Sequence, residues 1–319
     1  MSSVAERTRA DQSEQTRARY PDSSGYVERD GVRVFWERYG DGEPTILLLP
    51  TWTIIHSRCW KAQIPYLARH FRVLTFDPRG SGRSDRPRDA RLYAESEFAG
   101  DALAVMDATD TERAVLVSLS RGAQRALLLA SDHPERVVGA AFIGPFFPVS
   151  ALGGLRWRIM AHPRLRGTFF ARPPVAAGWL KFNGAHWRSD YPDFVGWWMR
   201  RIFNPPHSSK QIEDAVAWAL ETDAETVIAS ARGALAAPAT RRAQTALASR
   251  VRSPVLVISA PNDKITAHAD AKALARATGG RLLSIPDGGH GPQARKPVVV
   301  NLALRAFAEQ AVRAQFTLV

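Results

Sequence analysis

Short apolar runs alternate with longer amphipathic segments along most of the chain. The runs are rich in β-branched and aromatic residues and have the length of strands. We predict strands at Val32–Tyr39, Thr45–Leu49, Arg72–Phe76, Ala114–Ser118, Val137–Ile143, Pro254–Ser259 and Arg281–Ile285. The segments between them have helical periodicity, which predicts helices at Trp60–His70, Ser96–Ala108, Arg121–Ser131, His268–Ala277 and Pro297–Ala314. This alternation indicates an α/β fold with a mostly parallel central sheet and helices on both of its faces.

The alternation stops between about Pro148 and Ala248. This span is rich in Trp, Arg and Pro, and the pieces DFVGWWMRRIF and QIEDAVAWAL have helical periodicity. It contains Trp157, Trp179, Trp187, Trp197, Trp198 and Trp218. Aromatic side chains commonly line apolar ligand sites, although any single tryptophan is better explained as part of a small core. We predict a helical cap or lid at residues 149–248, inserted between the core segments 25–148 and 249–319.

Composition excludes several classes of protein. The chain has 319 residues, of which 45% are hydrophobic and 23% charged, as in ordinary globular proteins. No apolar run reaches the roughly 20 residues that span a bilayer, so stable membrane insertion is not expected. The first 24 residues are polar and lack an apolar signal segment, which predicts a disordered tail at residues 1–24 and a cytoplasmic location. A single cysteine, Cys59, excludes an intrachain disulfide.

The formal net charge of +12 does not by itself indicate a nucleic-acid partner. The basic residues are mostly arginines that are scattered along the chain, and no nucleic-acid-binding motif accompanies them. We therefore expect no nucleic-acid binding. A basic field can still attract anionic substrates.

The segment VLVSLSRGAQRALLLA places Ser120 where a predicted strand ends and a helix begins. A serine hydroxyl is a good nucleophile only when a base removes its proton and a third group holds that base. A nucleophile on a tight strand-to-helix turn needs small residues two positions before and after it, as in G-x-S-x-G. Gly122 meets this need, and Ser118 stands in place of the first glycine. Alone, Ser120 is about equally well explained as a polar residue at a strand end.

A carboxylate and a histidine follow the last two predicted strands. Asp263 lies in the loop after Pro254–Ser259, and His290 lies in a glycine-flanked loop after Arg281–Ile285. The loop that follows the strand Val137–Ile143 has no carboxylate, so Asp263 is the strongest candidate for the acid, with Asp287 as the alternative. The remaining histidines show no metal-ligand spacing, and we predict neither a metal nor a cofactor.

Two further motifs resemble those of a known superfamily. FDPRGSGRSD, residues 76–85, resembles a D-x-R-G-x-G-x-S loop, and HPERV, residues 133–137, resembles the usual exit from an elbow helix. Together with the order serine, acid, histidine, they make the chain similar to α/β-hydrolases over about residues 26–315. The similarity is to the cap-bearing group of esterases, lipases, C–C bond hydrolases and haloperoxidase-like enzymes. It implies an α/β-hydrolase fold with an inserted helical cap, and the catalytic triad Ser120, His290 and Asp263.

The resemblance also indicates where an oxyanion would bind. The family usually has His-Gly after its early strand, where this chain has Pro50-Thr51-Trp52. By position, the backbone N–H groups of Trp52 and Arg121 would be the two donors. Backbone donors do not depend on side-chain identity, so this substitution need not remove the oxyanion hole. Candidate residues of the substrate pocket are His56, Trp157, Trp187, Trp197 and Trp198.

These observations predict a serine hydrolase that cleaves an apolar carboxylic ester of a small molecule through an acyl-enzyme. An aspartate at the elbow would have indicated an epoxide hydrolase or dehalogenase, and Ser120 argues against both. The same triad also serves C–C bond hydrolases, acyltransferases and perhydrolases, so the chemistry stays open. The departures at Ser118 and Pro50-Thr51 keep a second class open, a catalytically impaired module that binds a small molecule. Acyl-chain length and homo-oligomerisation are not determined by the sequence.

Overall fold

A computed structural model describes residues 17–150, 169–171, 175–235 and 240–316 of the chain. Its strands are β1 Ser23–Arg29, β2 Val32–Tyr39, β3 Thr45–Leu48, β4 Arg72–Phe76, β5 Ala114–Leu119, β6 Val137–Ile143, β7 Val255–Ser259 and β8 Arg281–Ser284. They form an eight-stranded sheet in the order β1-β2-β4-β3-β5-β6-β7-β8. The pairs β1–β2 and β2–β4 are antiparallel, and all the other pairs are parallel.

The helices cover both faces of this sheet. They are α1 Ile64–Leu67, α2 Glu95–Ala108, α3 Gly122–Asp132, α4 Gly184–Ser189, α5 Tyr191–Ile202, α6 Lys210–Ala219, α7 Ala224–Leu235, α8 Arg241–Ser249, α9 His268–Thr278, α10 Pro292–Arg295 and α11 Pro297–Phe316. One apolar cluster joins α2, α3, α8 and α9 to the sheet, and a second joins α1 and α11 to it. In β3, Leu47 belongs to the first cluster, whereas Ile46 and Leu48 belong to the second. Successive side chains point to opposite faces, so a strand that is covered on both sides is apolar throughout.

The predicted α/β class is confirmed, with strand ends that differ from the prediction by one residue at most. Strand β1 was not predicted, because its exposed and half-buried residues alternate at the edge of the sheet. It begins inside the tail for which the sequence predicted disorder. The predicted helix Trp60–His70 is instead a 3₁₀ turn, Ser57–Trp60, followed by the short α1. Pro65 lacks an N–H group and suits only the first turn of a helix, so α1 begins at Ile64.

The inserted span supplies α4, α5, α6 and α7, which we call the lid after the predicted cap, and their apolar side chains share one aromatic-rich cluster. Helix α8 was included in the predicted cap, but it packs against α3 and α9 of the core. The side-chain amides of Gln124 and Gln244 also exchange hydrogen bonds of 2.8 and 2.9 Å across this contact. Helix α8 thus contributes to the apolar cluster of the core, and the cap boundary at residue 248 stays a prediction. No helix in the described part of the chain is both long and apolar enough to cross a membrane.

Candidate active site

Ser120 occupies the sharp turn that joins β5 to α3. Its φ angle is +53°, a backbone conformation that residues other than glycine seldom adopt. The turn is fastened to β6 and to the loop after it, because the Ser120 N–H donates to Ile143 O at 2.9 Å and the Phe146 N–H donates to Ser120 O at 2.9 Å. Strained backbone of this kind persists where the surroundings enforce it, and it is concentrated at functional sites.

The two small residues around Ser120 have different roles. A Cβ atom on Gly122 would lie 2.8 Å from the carbonyl oxygen of Pro50, so only glycine lets α3 approach that loop. Ser118 is buried, and its hydroxyl donates to Ala141 O at 3.2 Å. Serine is therefore tolerated where the family motif has glycine, because its one polar group is satisfied within the sheet.

His290 and Asp263 form a buried pair beside this turn. The Nδ1 atom of His290 lies 2.9 Å from Asp263 Oδ2. The same carboxylate accepts hydrogen bonds from the N–H groups of Ile265 and Thr266, at 2.7 and 3.0 Å, and from the Thr266 hydroxyl at 2.8 Å. With the Nδ1 proton donated to the carboxylate, Nε2 carries the free lone pair of a neutral imidazole.

Burial by itself raises the pKa of the Asp263 carboxyl. The interaction with His290 and the hydrogen bonds from Ile265 and Thr266 outweigh burial, so this pKa lies below its usual value and the Asp263 carboxyl is ionised at neutral pH. The alternative acid, Asp287, is exposed in the turn after β8. The loop after β6, where the sequence has no carboxylate, brings Gly144 close to the imidazole. A Cβ atom there would lie 3.3 Å from His290 Nδ1.

Ser120 and His290 line one cavity of about 220 Å³ between the core and the lid. The other lining residues are Thr51, Trp52, Ile54, Ile55, Cys59, Lys61, Ala62, Leu119, Trp198, Met199, Ile202, Phe203, Gln211, Asp214, Trp218, Gln293, Ala294 and Pro297. Most of them are apolar, as expected for a small-molecule site. Of the predicted pocket residues, Trp198 lines this cavity.

Three other predicted pocket residues do not line this cavity. Trp187 is fully buried inside the lid, where it stacks on Phe194 at 4.5 Å. Trp197 packs against Trp179 at 5.5 Å. Both tryptophans lie on the predicted lid, but their rings face its interior or its outer side.

His56 is the third of these residues. It is buried, and its ring packs edge-on against Trp218 at 5.9 Å. Its Nδ1 lies 3.9 Å from Asp77 Oδ1 and its Nε2 lies 3.3 Å from Glu221 Oε2. His56 therefore supports the cavity wall from behind. The fourth candidate, Trp157, lies outside the described residues.

Sequence reasoning missed several polar residues of the cavity, among them Lys61, Asp214 and Gln293. No motif contains them, and they come from three segments that are far apart along the chain, of which only that of Asp214 belongs to the lid. The basic composition indicated that the protein attracts anions, but it did not indicate where on the protein an anion would bind.

A buried arginine holds the loop that follows β3. Arg125, on α3, donates from Nη1 to Pro50 O and to Thr51 O, both at 2.7 Å. Its guanidinium also pairs with Glu95 at 3.0 Å and lies 3.6 Å from the centre of the Phe98 ring. Burial lowers the pKa of Arg125 to about 10, so it remains charged at neutral pH. Arg125 thus fixes two backbone carbonyls of this loop to helix α3.

This contact also orients the next amide. The Thr51 carbonyl and the Trp52 N–H belong to one planar peptide group and point in opposite directions if the peptide is trans. Because Arg125 holds the carbonyl, the Trp52 N–H points away from Arg125. Within the described residues, the N–H groups of Trp52 and Arg121 have no hydrogen-bond acceptor. They are the two amides that the sequence analysis selected as oxyanion donors.

The model of a family described as the alpha/beta hydrolase fold matches residues 44–297. The chain belongs to the α/β-hydrolase family. The resemblance inferred from the sequence motifs is therefore confirmed.

Individual relatives differ in how much of the chain they match. A 2-hydroxymuconate semialdehyde hydrolase of Pseudomonas sp. (strain CF600) is 41% identical over 140 residues, which cover 41% of this chain and 48% of that protein. The chain thus spans about half the length of this curated relative. A bifunctional esterase/perhydrolase of Acinetobacter calcoaceticus is 22% identical over 303 residues, which cover 89% and 99% of the two chains. A solved structure of Est816, described as an N-acyl homoserine lactone degrading enzyme, has a TM-score of 0.69 at 27% identity and covers 89% of this chain and 100% of its own.

Proposed function

We propose that this α/β-hydrolase family member is a serine hydrolase that cleaves carboxylic esters through an acyl-enzyme. The observation that supports the proposal most is the meeting of three distant segments at one cavity. Ser120 projects from a strained turn, His290 lines the same cavity, and Asp263 holds the imidazole at 2.9 Å. A serine at this turn, in place of an aspartate, favours acyl transfer over epoxide opening or dehalogenation.

In the proposed mechanism, Ser120 Oγ attacks the ester carbonyl while His290 Nε2 takes its proton. The Asp263 carboxylate holds the Nδ1 proton and stabilises the imidazolium. The amides of Trp52 and Arg121 donate to the oxyanion of the tetrahedral intermediate. His290 then gives this proton to the leaving alkoxide. In the second half of the reaction, water attacks the acyl-enzyme with His290 again as the base, and Ser120 takes the proton back as the acid is released.

Arg125 acts in this scheme as a positioning residue. It touches neither the substrate nor the reacting atoms, but its bonds to the Pro50 and Thr51 carbonyls preset the direction of the Trp52 amide. Donors that are fixed before the reaction stabilise developing charge without reorganising during it. In this chain Pro50-Thr51-Trp52 stands where the family usually has His-Gly, and Arg125 holds that loop from α3.

The cavity favours a small, mainly apolar substrate. Aromatic and aliphatic side chains form most of its wall, among them Trp198, Phe203 and Trp218. A volume of about 220 Å³ is at or below the lower end of the usual range for ligand sites, which excludes large acyl groups unless the lid moves. We expect short acyl esters to be turned over fastest.

The test is covalent labelling of the full-length protein by a fluorophosphonate probe, with turnover of a p-nitrophenyl ester series. Wild type should be labelled and should hydrolyse short esters, and Ser120→Ala should do neither while keeping its circular dichroism spectrum. A wild-type protein that neither reacts with the probe nor turns over any ester would overturn the proposal in favour of a binding module.

C–C bond hydrolysis by the same residues is a second candidate, favoured by the relative that acts on 2-hydroxymuconate semialdehyde. Labelling of Ser120 without turnover of any ester in the series would support it. Interception of the acyl group by added methanol would instead indicate acyl transfer.

A further inference from the structure

One part of the otherwise apolar cavity is polar and positively charged. Lys61, from the core, and Asp214, from α6 of the lid, both line it and form an ion pair. Asp214 also pairs with Lys210, whose Nζ lies 2.5 Å from Oδ1. Two ammonium groups therefore share one carboxylate that is almost completely buried, and the cluster retains a positive charge.

The surface on the other side of Lys61 adds to this charge. Lys61 also lines a shallow notch that Arg17, Arg19 and Arg58 share with it. The described residues of the notch include one carboxylate, Glu37, which is already bonded to Arg17 at 2.9 Å and to the Tyr39 hydroxyl. Cations therefore outnumber carboxylates around this end of the cavity, where a basic field favours an anionic ligand.

Gln293 provides an independent observation. Gln293 is only 3% exposed and lines the cavity. Its Oε1 atom has no hydrogen-bond partner among the described residues. A buried amide oxygen without a partner is costly, and such groups are normally satisfied. The amide can turn to present either its oxygen or its NH₂ group to a ligand. Gln293 lies three residues after His290, which fixes this polar group close to the catalytic loop.

We propose that Lys61 and Gln293 form a subsite for a carboxylate on the substrate, so that the preferred ester carries an anionic group some atoms away from the scissile carbonyl. The carboxylate accepts hydrogen bonds from the Lys61 ammonium and the Gln293 amide, and the chain between the two ends lies against the apolar wall. Asp214 directs the Lys61 ammonium through their ion pair. The proposal rests on the serine hydrolase function proposed above and names the substrate class of that site.

The first test compares charged and neutral esters of matched shape. Mono-p-nitrophenyl esters of succinate, glutarate, adipate and pimelate carry the carboxylate on the acyl side, and their methyl esters are the neutral partners. On the leaving-group side, 4-acetoxybenzoate is paired with its methyl ester. For at least one pair, kcat/KM should favour the anion by about tenfold or more, as one charge-assisted hydrogen bond provides.

Lys61→Met keeps an unbranched apolar side chain and removes the charge, so it should abolish this preference. Lys210→Met is the matched control, because Lys210 pairs with the same carboxylate but does not line the cavity. The ratio between anionic and neutral esters should survive in the control. Gln293→Leu should lower the ratio by a smaller factor, since it removes a neutral donor.

If Lys61 only connects the core to the lid through its ion pair with Asp214, we expect a different result. In that case Lys61→Met would change the rates of anionic and neutral esters by the same factor, which would overturn the subsite. Absence of any preference for the anion in wild type, on both sides of the ester, would overturn it as well.

A binding measurement separates this proposal from the catalytic one. Adipate or glutarate should raise the melting temperature of wild type and of Ser120→Ala, but not that of Lys61→Met. If no ester is turned over and the dicarboxylates still stabilise the protein through Lys61, the proposed function fails and the subsite stands. If esters are hydrolysed without charge preference and the dicarboxylates have no effect, the function stands and the subsite fails.

Discussion

The core wall and the lid wall of the cavity are held by different forces. On the core side, Ser120, His290 and the Pro50–Trp52 loop follow strands or join them to helices, and hydrogen bonds and buried charges fix each of them. On the lid side, many contacts are between aromatic rings, such as Phe182 against Trp198 at 5.4 Å, and Asp214 adds an ion pair with Lys61. Hydrogen bonds specify direction, whereas ring packing mainly specifies volume. The core wall is therefore suited to chemistry and the lid wall to selection of the substrate.

Trp52 belongs to both walls. Its backbone lies in the loop that Arg125 holds, and its indole packs against Trp187 and Trp198 of the lid at 5.8 and 5.7 Å. Movement of the lid would therefore displace Trp52, whose backbone N–H is one proposed oxyanion donor. The division between the walls is testable, because changes in the core wall should mainly alter kcat and changes in the lid wall should mainly alter KM.

The largest effect is expected from the core wall. His290→Ala and Asp263→Asn should each lower kcat by on the order of 10⁴-fold, because the first removes the base and the second leaves the imidazole in the wrong tautomer. The melting temperature should show that both variants fold. Asp287→Asn is the control, since Asp287 is exposed in the loop that carries His290. Near-normal kcat in Asp263→Asn would refute the assignment of the acid.

A smaller loss should follow from releasing the loop after β3. Arg125→Met should reduce kcat by about 10²- to 10³-fold with little change in KM, the size seen when one oxyanion donor is lost. Arg125→Lys should recover part of the loss, since an ammonium can still donate to one carbonyl. Arg121→Met serves as the comparison, because it removes another partner of Glu95 and leaves both loop carbonyls bound. Equal effects in Arg121→Met and Arg125→Met would show that Arg125 acts only through stability.

The lid wall should respond through substrate binding. Trp198→Ala enlarges the cavity and should reduce kcat/KM for short apolar esters by about tenfold, mainly through KM, while shifting the optimum to longer acyl chains. Its neighbour Trp197 does not line the cavity, and Trp197→Ala should keep the wild-type chain-length profile. Identical profiles in Trp198→Ala and Trp197→Ala would remove the distinction between the two faces of α5.

The smallest effect concerns stability in acid. Burial raises the pKa of Glu95, but Arg121 and Arg125 outweigh it, so the folded pKa lies below the unfolded value of about 4.3. A depressed pKa stabilises the folded state above the unfolded pKa, and this contribution is lost as pH falls through the folded pKa. Glu95→Gln should therefore lower the melting temperature most above about pH 5, and the difference from wild type should shrink below about pH 4. A difference that stays constant from pH 3 to pH 7 would contradict this assignment.

Much of the core could be predicted because its signals are local. A buried strand is a continuous apolar run, and its end is marked by the residues that follow it, so the strand boundaries and the positions of Ser120, Asp263 and His290 could be read in order along the chain. The contact between His290 and Asp263 follows from the same logic, since parallel strands bring their carboxyl ends to one edge. Strand β1 was missed because it is half-exposed at the edge of the sheet and lacks that apolar run.

The residues of the cavity could not be predicted in the same way. Trp197 and Trp198 are adjacent and chemically identical, and only the packing of α5 on the core decides which ring lines the cavity. Lys61, Asp214 and Gln293 come from three segments that no motif connects. By itself the sequence determined the order of strands and helices and the residue types at the strand ends, because these depend on near neighbours along the chain. Tertiary structure decided which side chains share the cavity, because that depends on how the lid rests against the core and on which face of each helix it buries.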